Sequence, residues 1–145
     1  MTKDKLLNKN CCDQSIFSKL HDKHAKDLHD FIYYKFGEQF KYWPAAIRNH
    51  HEIQSGLMWH SYTMMQMGLS VCQIYADRNI DRELLIAGII CHDLGKVIEI
   101  TYDISNEFSI EGKLLGHISI MSQEIAKIAS ELNLKNEYVT LLEHM

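Results

Sequence analysis

The residues of this 145-residue sequence best suited to chemistry are an adjacent histidine and aspartate, His92 and Asp93, in the stretch Ile90 to Lys96, ICHDLGK. An imidazole nitrogen beside a carboxylate oxygen is a mixed ligand set that suits Mn, Fe, Co, Ni or Zn better than Ca or Mg. Neighbours on a regular helix point about 100° apart, so both can reach one cation only where the backbone leaves the helical path. Gly95 is expected to supply that break. The preceding Leu84, Leu85, Ile86, Ala87, Ile89 and Ile90 are apolar, which places the pair at the mouth of a core, where polar groups need partners. A bare His-Asp dipeptide also reads as a plain helix C-terminus, with His92 complementing the dipole and Asp93 making a turn.

Other elements must therefore supply further ligands. Leu57 to Tyr75 is apolar nearly all round and predicts a buried central helix with His60 on its first turn; alone, His60 reads more readily as a satisfied core residue than as a ligand. Asp81 is placed to cap the helix that carries Leu84 onward to the His-Asp pair. Ile98 to Gly112 alternates apolar and polar residues about a turn at Ser105-Asn106 and predicts a small hairpin. Leu114 to Leu132 returns to helical spacing, with Leu114, Ile118, Met121, Ile125, Ile128 and Leu132 on one stripe and His117 near its start. His60, His92, Asp93 and His117 thus lie at the ends of three apolar helices, where packing can bring them to one point.

The remaining elements carry less chemistry. Ser15 to Phe36 spaces Phe17, Leu20, His24, Leu28, Phe31 and Tyr34 as one helical face, stopped by Gly37; its His21, His24 and His29 read as solvated or partly packed. Glu38 to Gly56, with His50 and His51, reads as an ordered loop over the core. A last helix is expected after an Asn136 N-cap and would expose Val139, Leu142 and Met145.

Composition bounds the function. A content of 46% hydrophobic and 23% charged residues describes one soluble globular domain, and one proline with seven glycines favours a helical one. No apolar run spans a membrane and no signal-peptide core precedes the chain, so a cytoplasmic protein is expected. Cys11, Cys12, Cys72 and Cys91 form neither a disulfide framework nor zinc spacing. The net charge of -4 excludes a broad basic surface for nucleic acid.

Three stretches in order, YWPAAIRNHHEIQSGLMWHS, LLIAGIICHDLGKVIEI and EGKLLGHISI, resemble the HD-domain metal-dependent phosphohydrolases, and most nearly their YhaM-type 3'-to-5' exoribonuclease branch. The resemblance runs from Phe40 to Met145. It implies an all-α fold, an HD-domain helical bundle with a small β-hairpin between the third and fourth main helices. It also implies a single domain over 1–145, with an N-terminal helical extension at 1–37 and an HD core at 38–145. By position, His60 looks like the first metal ligand, His92 and Asp93 like the paired ligands, and His117 like a ligand of a second metal, with Asp93 bridging. Asp93 and Lys96 would be the catalytic residues, Lys96 also meeting a substrate phosphate, and His51 is a further candidate for that pocket. The cofactor would be one or two divalent transition metal ions, Mn or else Fe, Co, Ni or Zn.

The family pattern continues with a Ser-His-His-Gly segment and a distant Asp, and longer members carry an OB-type domain; neither occurs in these residues. The implied protein is a C-terminally incomplete HD domain, a fragment or shortened homologue acting on single-stranded RNA, with little activity expected of these residues alone. Alternatives are a phosphohydrolase of small nucleotides, or a non-catalytic, degenerate HD module acting in assembly or regulation; a homo-oligomer or a missing partner segment is the partner expected. A metal-free helical domain whose histidines are core residues is the remaining reading.

Overall fold

The structure, a computed structural model, describes residues 22–47, 54–102 and 106–145. The expected helix start at Ser15, His21, the His50-His51 pair and Ser105 of the hairpin turn lie outside them. Among the described residues the fold is all-α apart from one tiny hairpin. In order come α1 (Lys23–Tyr42), α2 (Gly56–Ile74), a 3₁₀ turn (Ala76–Arg78), α3 (Arg82–Cys91), the single turn α4 (Lys96–Glu99), β1 (Ile100–Thr101), β2 (Glu107–Phe108), α5 (Ile110–Leu132) and α6 (Asn136–His144). β1 and β2 pair antiparallel, Ile100 opposite Phe108. No described helix is long and apolar enough to cross a membrane.

Helix starts follow side-chain chemistry. Asp22 caps α1, its carboxylate accepting from the Ala25 amide at 2.9 Å, and Asp81 caps α3, accepting from the amides of Glu83 and Leu84 at 3.1 and 3.0 Å. α3 is the central helix: every residue from Ile86 to Cys91 is buried. It shares one core with Leu28, Ile32 and Phe36 of α1, Leu57 and Met65 of α2, Ile125 and Ile128 of α5, and Leu142 of α6. An ion pair between the exposed Lys35 and the buried Glu124, at 3.1 Å, ties α1 to α5.

Several sequence expectations change in the packed fold. α1 runs through Gly37 to Tyr42, because burial of Phe36 outweighs the roughly 1 kcal/mol that a mid-helix glycine costs. It stops instead where Trp43 turns extended before Pro44. Its buried face is Ala25, Leu28, Ile32 and Phe36, while Tyr34 is exposed and His24 rests against the Tyr138 ring at 5.3 Å. α2 is buried only over its first half: Met67, Val71 and Ile74 face outward.

In α5 the stripe holds at Met121, Ile125 and Ile128 but fails at Leu114 and Ile118, which are 77% and 74% exposed. Gly116 lies between them with φ 74° and ψ 158°, so the helical phase is not carried across it. α6 is capped at Lys135 rather than Asn136. It buries Leu142, partly buries Val139 and leaves Met145 about half exposed, because it packs on α3 and α5.

These placements separate two isoleucines that the sequence puts on one stripe. Ile128→Ala is expected to destabilise the fold by about 2–5 kcal/mol, whereas Ile118→Ala should stay within roughly 0.5 kcal/mol. Chemical denaturation of the two variants measures the difference.

Candidate metal centre

The His-Asp pair is brought inward by a tightening of the backbone, not by a left-handed residue. His92 and Gly95 both keep right-handed helical dihedrals, φ -53° and -56°. The hydrogen bonds change instead. His92 still bonds four residues back to Gly88, but the amides of Leu94, Lys96 and Val97 bond three residues back to Cys91, Asp93 and Leu94. This 3₁₀-like turn rotates Asp93 under the core, where its side chain is buried. The expectation that Gly95 breaks the helix by its own conformation is therefore corrected. Glycine is needed there because α5 passes so close that a Cβ would overlap the His117 carbonyl oxygen.

On one side of Asp93, three donor atoms meet. His60 Nε2 and His92 Nε2 are 3.3 Å apart, and each stands 3.3 Å from Asp93 Oδ2. Ligands about 2.1 Å from one ion at near-tetrahedral angles stand about 3.4 Å from each other, so this triangle has the edge length that a single transition-metal ion requires. Among the described residues, His60, His92 and Asp93 are a group whose donor atoms all lie within 4.8 Å of one another.

The tautomer of His92 fits the same use. Its Nδ1 contacts the Ile89 carbonyl; a carbonyl only accepts, so Nδ1 carries the hydrogen and a neutral ring aims its Nε2 lone pair at His60 and Asp93. A lone pair and a carboxylate oxygen facing each other need a donated hydrogen or a positive charge between them. Without metal, a proton takes that place. Burial works against a charged His92, but the Asp93 hydrogen bond and charge, with the Ile89 carbonyl, outweigh it and raise the group above its ordinary value. Burial likewise pushes Asp93 up, yet bonds from His92 and Lys96 hold its carboxyl far below the usual carboxylate range.

On the other side of Asp93, His117 Nε2 stands 3.5 Å from Oδ1. Gly116 makes His117 the first residue of a fresh helical segment, and its free amide is capped by the Glu99 side chain at 3.0 Å. The same carboxylate stands 3.1 Å from His117 Nδ1. Glu99, 8% exposed, was not a sequence candidate: between Ile98 and Ile100 it reads as the outward position of an alternating strand. It instead ends α4 and turns inward.

Lys96, one turn after Asp93, donates to Asp93 Oδ2 at 2.8 Å, so the ammonium now rests on the same oxygen that faces both histidines. His51 lies outside the described residues. His24 and His29 pack elsewhere, His29 pairing with Asp30 at 3.0 Å. Cys91, beside His92 in sequence, is buried in the core and its thiol is pushed up to about 12 by that burial, so it takes no part as a thiolate.

The bundle converges a histidine, a His-Asp pair and a later histidine on one buried carboxylate, and of these His60, His92 and Asp93 could hold a metal ion. The HD domain family matches residues 57–145, more than half of the sequence, and this chain belongs to that family. It is similar to the protein named 3'-5' exoribonuclease YhaM in Shouchella clausii, 45% identical over 133 residues that make up 92% of this chain and 41% of that protein. The protein of the same name in Bacillus licheniformis is 49% identical over 111 residues, 77% of this chain and 35% of that protein. The counterpart in Listeria monocytogenes is 45% identical over the same length. The chain thus spans about two fifths or less of the length of these curated relatives. No solved structure matches it.

The close passage of α5 over the turn generates a direct prediction. Gly95→Ala forces a methyl group against backbone rather than a yielding side chain, and should destabilise the fold by about 1–3 kcal/mol. Guanidinium unfolding beside the wild type measures it.

Proposed function

We propose that His60, His92 and Asp93 hold a divalent transition metal, Mn or else Fe, Co, Ni or Zn, and that the site hydrolyses the 3'-terminal phosphodiester of single-stranded RNA. The observation that carries this reading is the 3.3 Å triangle on Asp93 Oδ2, with His92 locked by Ile89 in the tautomer of a ligand. The substrate follows from the relatives, whose names are 3'-5' exoribonuclease. An ion bound there supplies Lewis-acid polarisation of the phosphate and a water activated near neutral pH.

The chain's own residues have separate tasks. Asp93 presents two oxygens in different directions, Oδ2 to His60 and His92 and Oδ1 to His117, which allows it to serve a second ion on the His117 side. Lys96 brings a point charge to within one hydrogen bond of Asp93. With the Asp93 charge matched by an ion, that ammonium is free to bind a non-bridging phosphate oxygen. In the hydrolysis a water oxygen bonds to phosphorus while the phosphorus bond to the preceding nucleotide's 3' oxygen breaks, and a proton of the water ends on that leaving oxygen. Lys96 and the ligands hold the extra negative charge of the transition state in a half-buried setting, where such interactions are stronger than in water.

The test is a gel assay on 5'-labelled single-stranded RNA with Mn2+, run with enzyme in excess because the relatives are longer than this chain. Stepwise shortening from the 3' end is expected, stopped by EDTA and by Asp93→Asn. Lys96→Ala should lower kcat/KM by roughly 10²-fold. Internal cuts, intact RNA with turnover of mononucleotides instead, or shortening indifferent to EDTA would contradict the reading.

A further inference from the structure

We infer that Glu99 is the positioning residue that fixes His117 in the tautomer of a metal ligand, by winning its one imidazole hydrogen from Asp93. The inference rests on the reading of the Asp93 cluster as a metal site, and it concerns the His117 side of that cluster.

The argument begins with a competition. A neutral imidazole has one N–H and one lone pair, and which nitrogen carries which is set by the partners on either side. His117 lies between two buried carboxylates. Asp93 Oδ1 faces Nε2 at 3.5 Å, and the Glu99 carboxylate faces Nδ1 at 3.1 Å through both of its oxygens. If Asp93 took the hydrogen, Nε2 would become a donor and could not ligate an ion. If Glu99 takes it, the Nε2 lone pair is aimed at the space beside Oδ1, the orientation in which a carboxylate behind a histidine raises its strength as a ligand.

Four features of the structure favour Glu99. Its contact is the shorter. It is held in place by a second bond, from the His117 main-chain amide at 3.0 Å, so backbone and ring of one residue are gripped by one carboxylate. That double grip exists because Gly116, at φ 74°, breaks α5 and leaves the amide of His117 without a helical partner. Asp93, by contrast, is already engaged by Lys96 and His92, which draw its negative charge toward Oδ2. Glu99 itself is immobilised: its backbone carbonyl accepts from the Ser109 amide at 2.8 Å, and Gly112 packs so tightly over it that a Cβ there would overlap that carbonyl. These contacts brace a buried carboxylate that otherwise has no apparent reason to face inward.

Long-range 1H–15N correlation spectra of the histidine rings test this on chelator-treated protein, at a pH where the rings are neutral. The wild type is expected to show His117 as the Nδ1–H form. Glu99→Met keeps the length and volume of the side chain but removes the acceptor, and should turn His117 to the Nε2–H form while the His92 signals stay in place. In the same variant, Mn2+ binding followed by calorimetry should weaken by about 10–100-fold. An Nε2–H His117 in the wild type, which needs no variant to observe, overturns the inference. So does an Nδ1–H form that persists in Glu99→Met, or a switched tautomer with unchanged Mn2+ affinity. None of these readouts involves RNA: failure of the nuclease assay with a switched tautomer and weakened metal would remove the proposed substrate and leave the role of Glu99 standing.

Discussion

A carboxylate cannot be buried without its charge being matched, and Asp93, 5% exposed, is where this fold accepts that obligation. Oδ2 is faced by His60, His92 and Lys96, and Oδ1 by His117. Each of these groups arrives on a different stretch of backbone: α2, the turn after α3, α4 and the broken helix α5. The helices are thus arranged so that their polar ends meet on one carboxylate while their apolar faces close over Ile90, Leu94 and Ile128. Lys96 and a raised His92 can neutralise Asp93 in the metal-free protein, but they leave two Nε2 atoms 3.3 Å apart and pointed at each other. On the proposed reading, a bound cation would satisfy all of them at once.

Two departures from ideal helix geometry make the convergence possible. The 3₁₀-like hydrogen bonds after Cys91 turn Asp93 inward without any left-handed residue. The positive φ of Gly116 restarts α5 so that His117 enters at a helix N-terminus, where a free amide and a favourable dipole welcome the Glu99 carboxylate. Between the two, Gly95 lets the turn and α5 touch backbone to backbone. Local regularity is given up where the polar cluster converges and kept where side chains form core, as expected when a functional centre is set in a scaffold.

Much of this was legible in the sequence. The apolar run before His92, the Asp81 cap and the ends of α2 fall where periodicity and capping chemistry put them, and the four cluster residues sit at helix ends in the expected order. What could not be read there depends on contacts between distant segments. Gly95 looks like a conformational break because the close passage of His117 leaves no mark nearby in sequence. Glu99 fits an alternating strand pattern because two isoleucines flank it, and only the fold turns it inward. Leu114 and Ile118 look like core because a stripe of period 3.6 does not announce where a glycine resets its phase. Met67, Val71 and Ile74 continue the apolar composition of α2 beyond the elements that cover its first half. Periodicity reports which residues can be buried, and tertiary packing decides which are.

The central claim is that the charge matched at Asp93 belongs to a bound metal ion. Its most direct test is plasma mass spectrometry of the protein purified without chelator, beside His92→Ala. The account predicts about one or two equivalents of transition metal per chain in the wild type and loss of that metal in the variant, with the helical fold retained by circular dichroism. A wild type that holds no metal, or a His92→Ala protein that holds as much as the wild type, would contradict it.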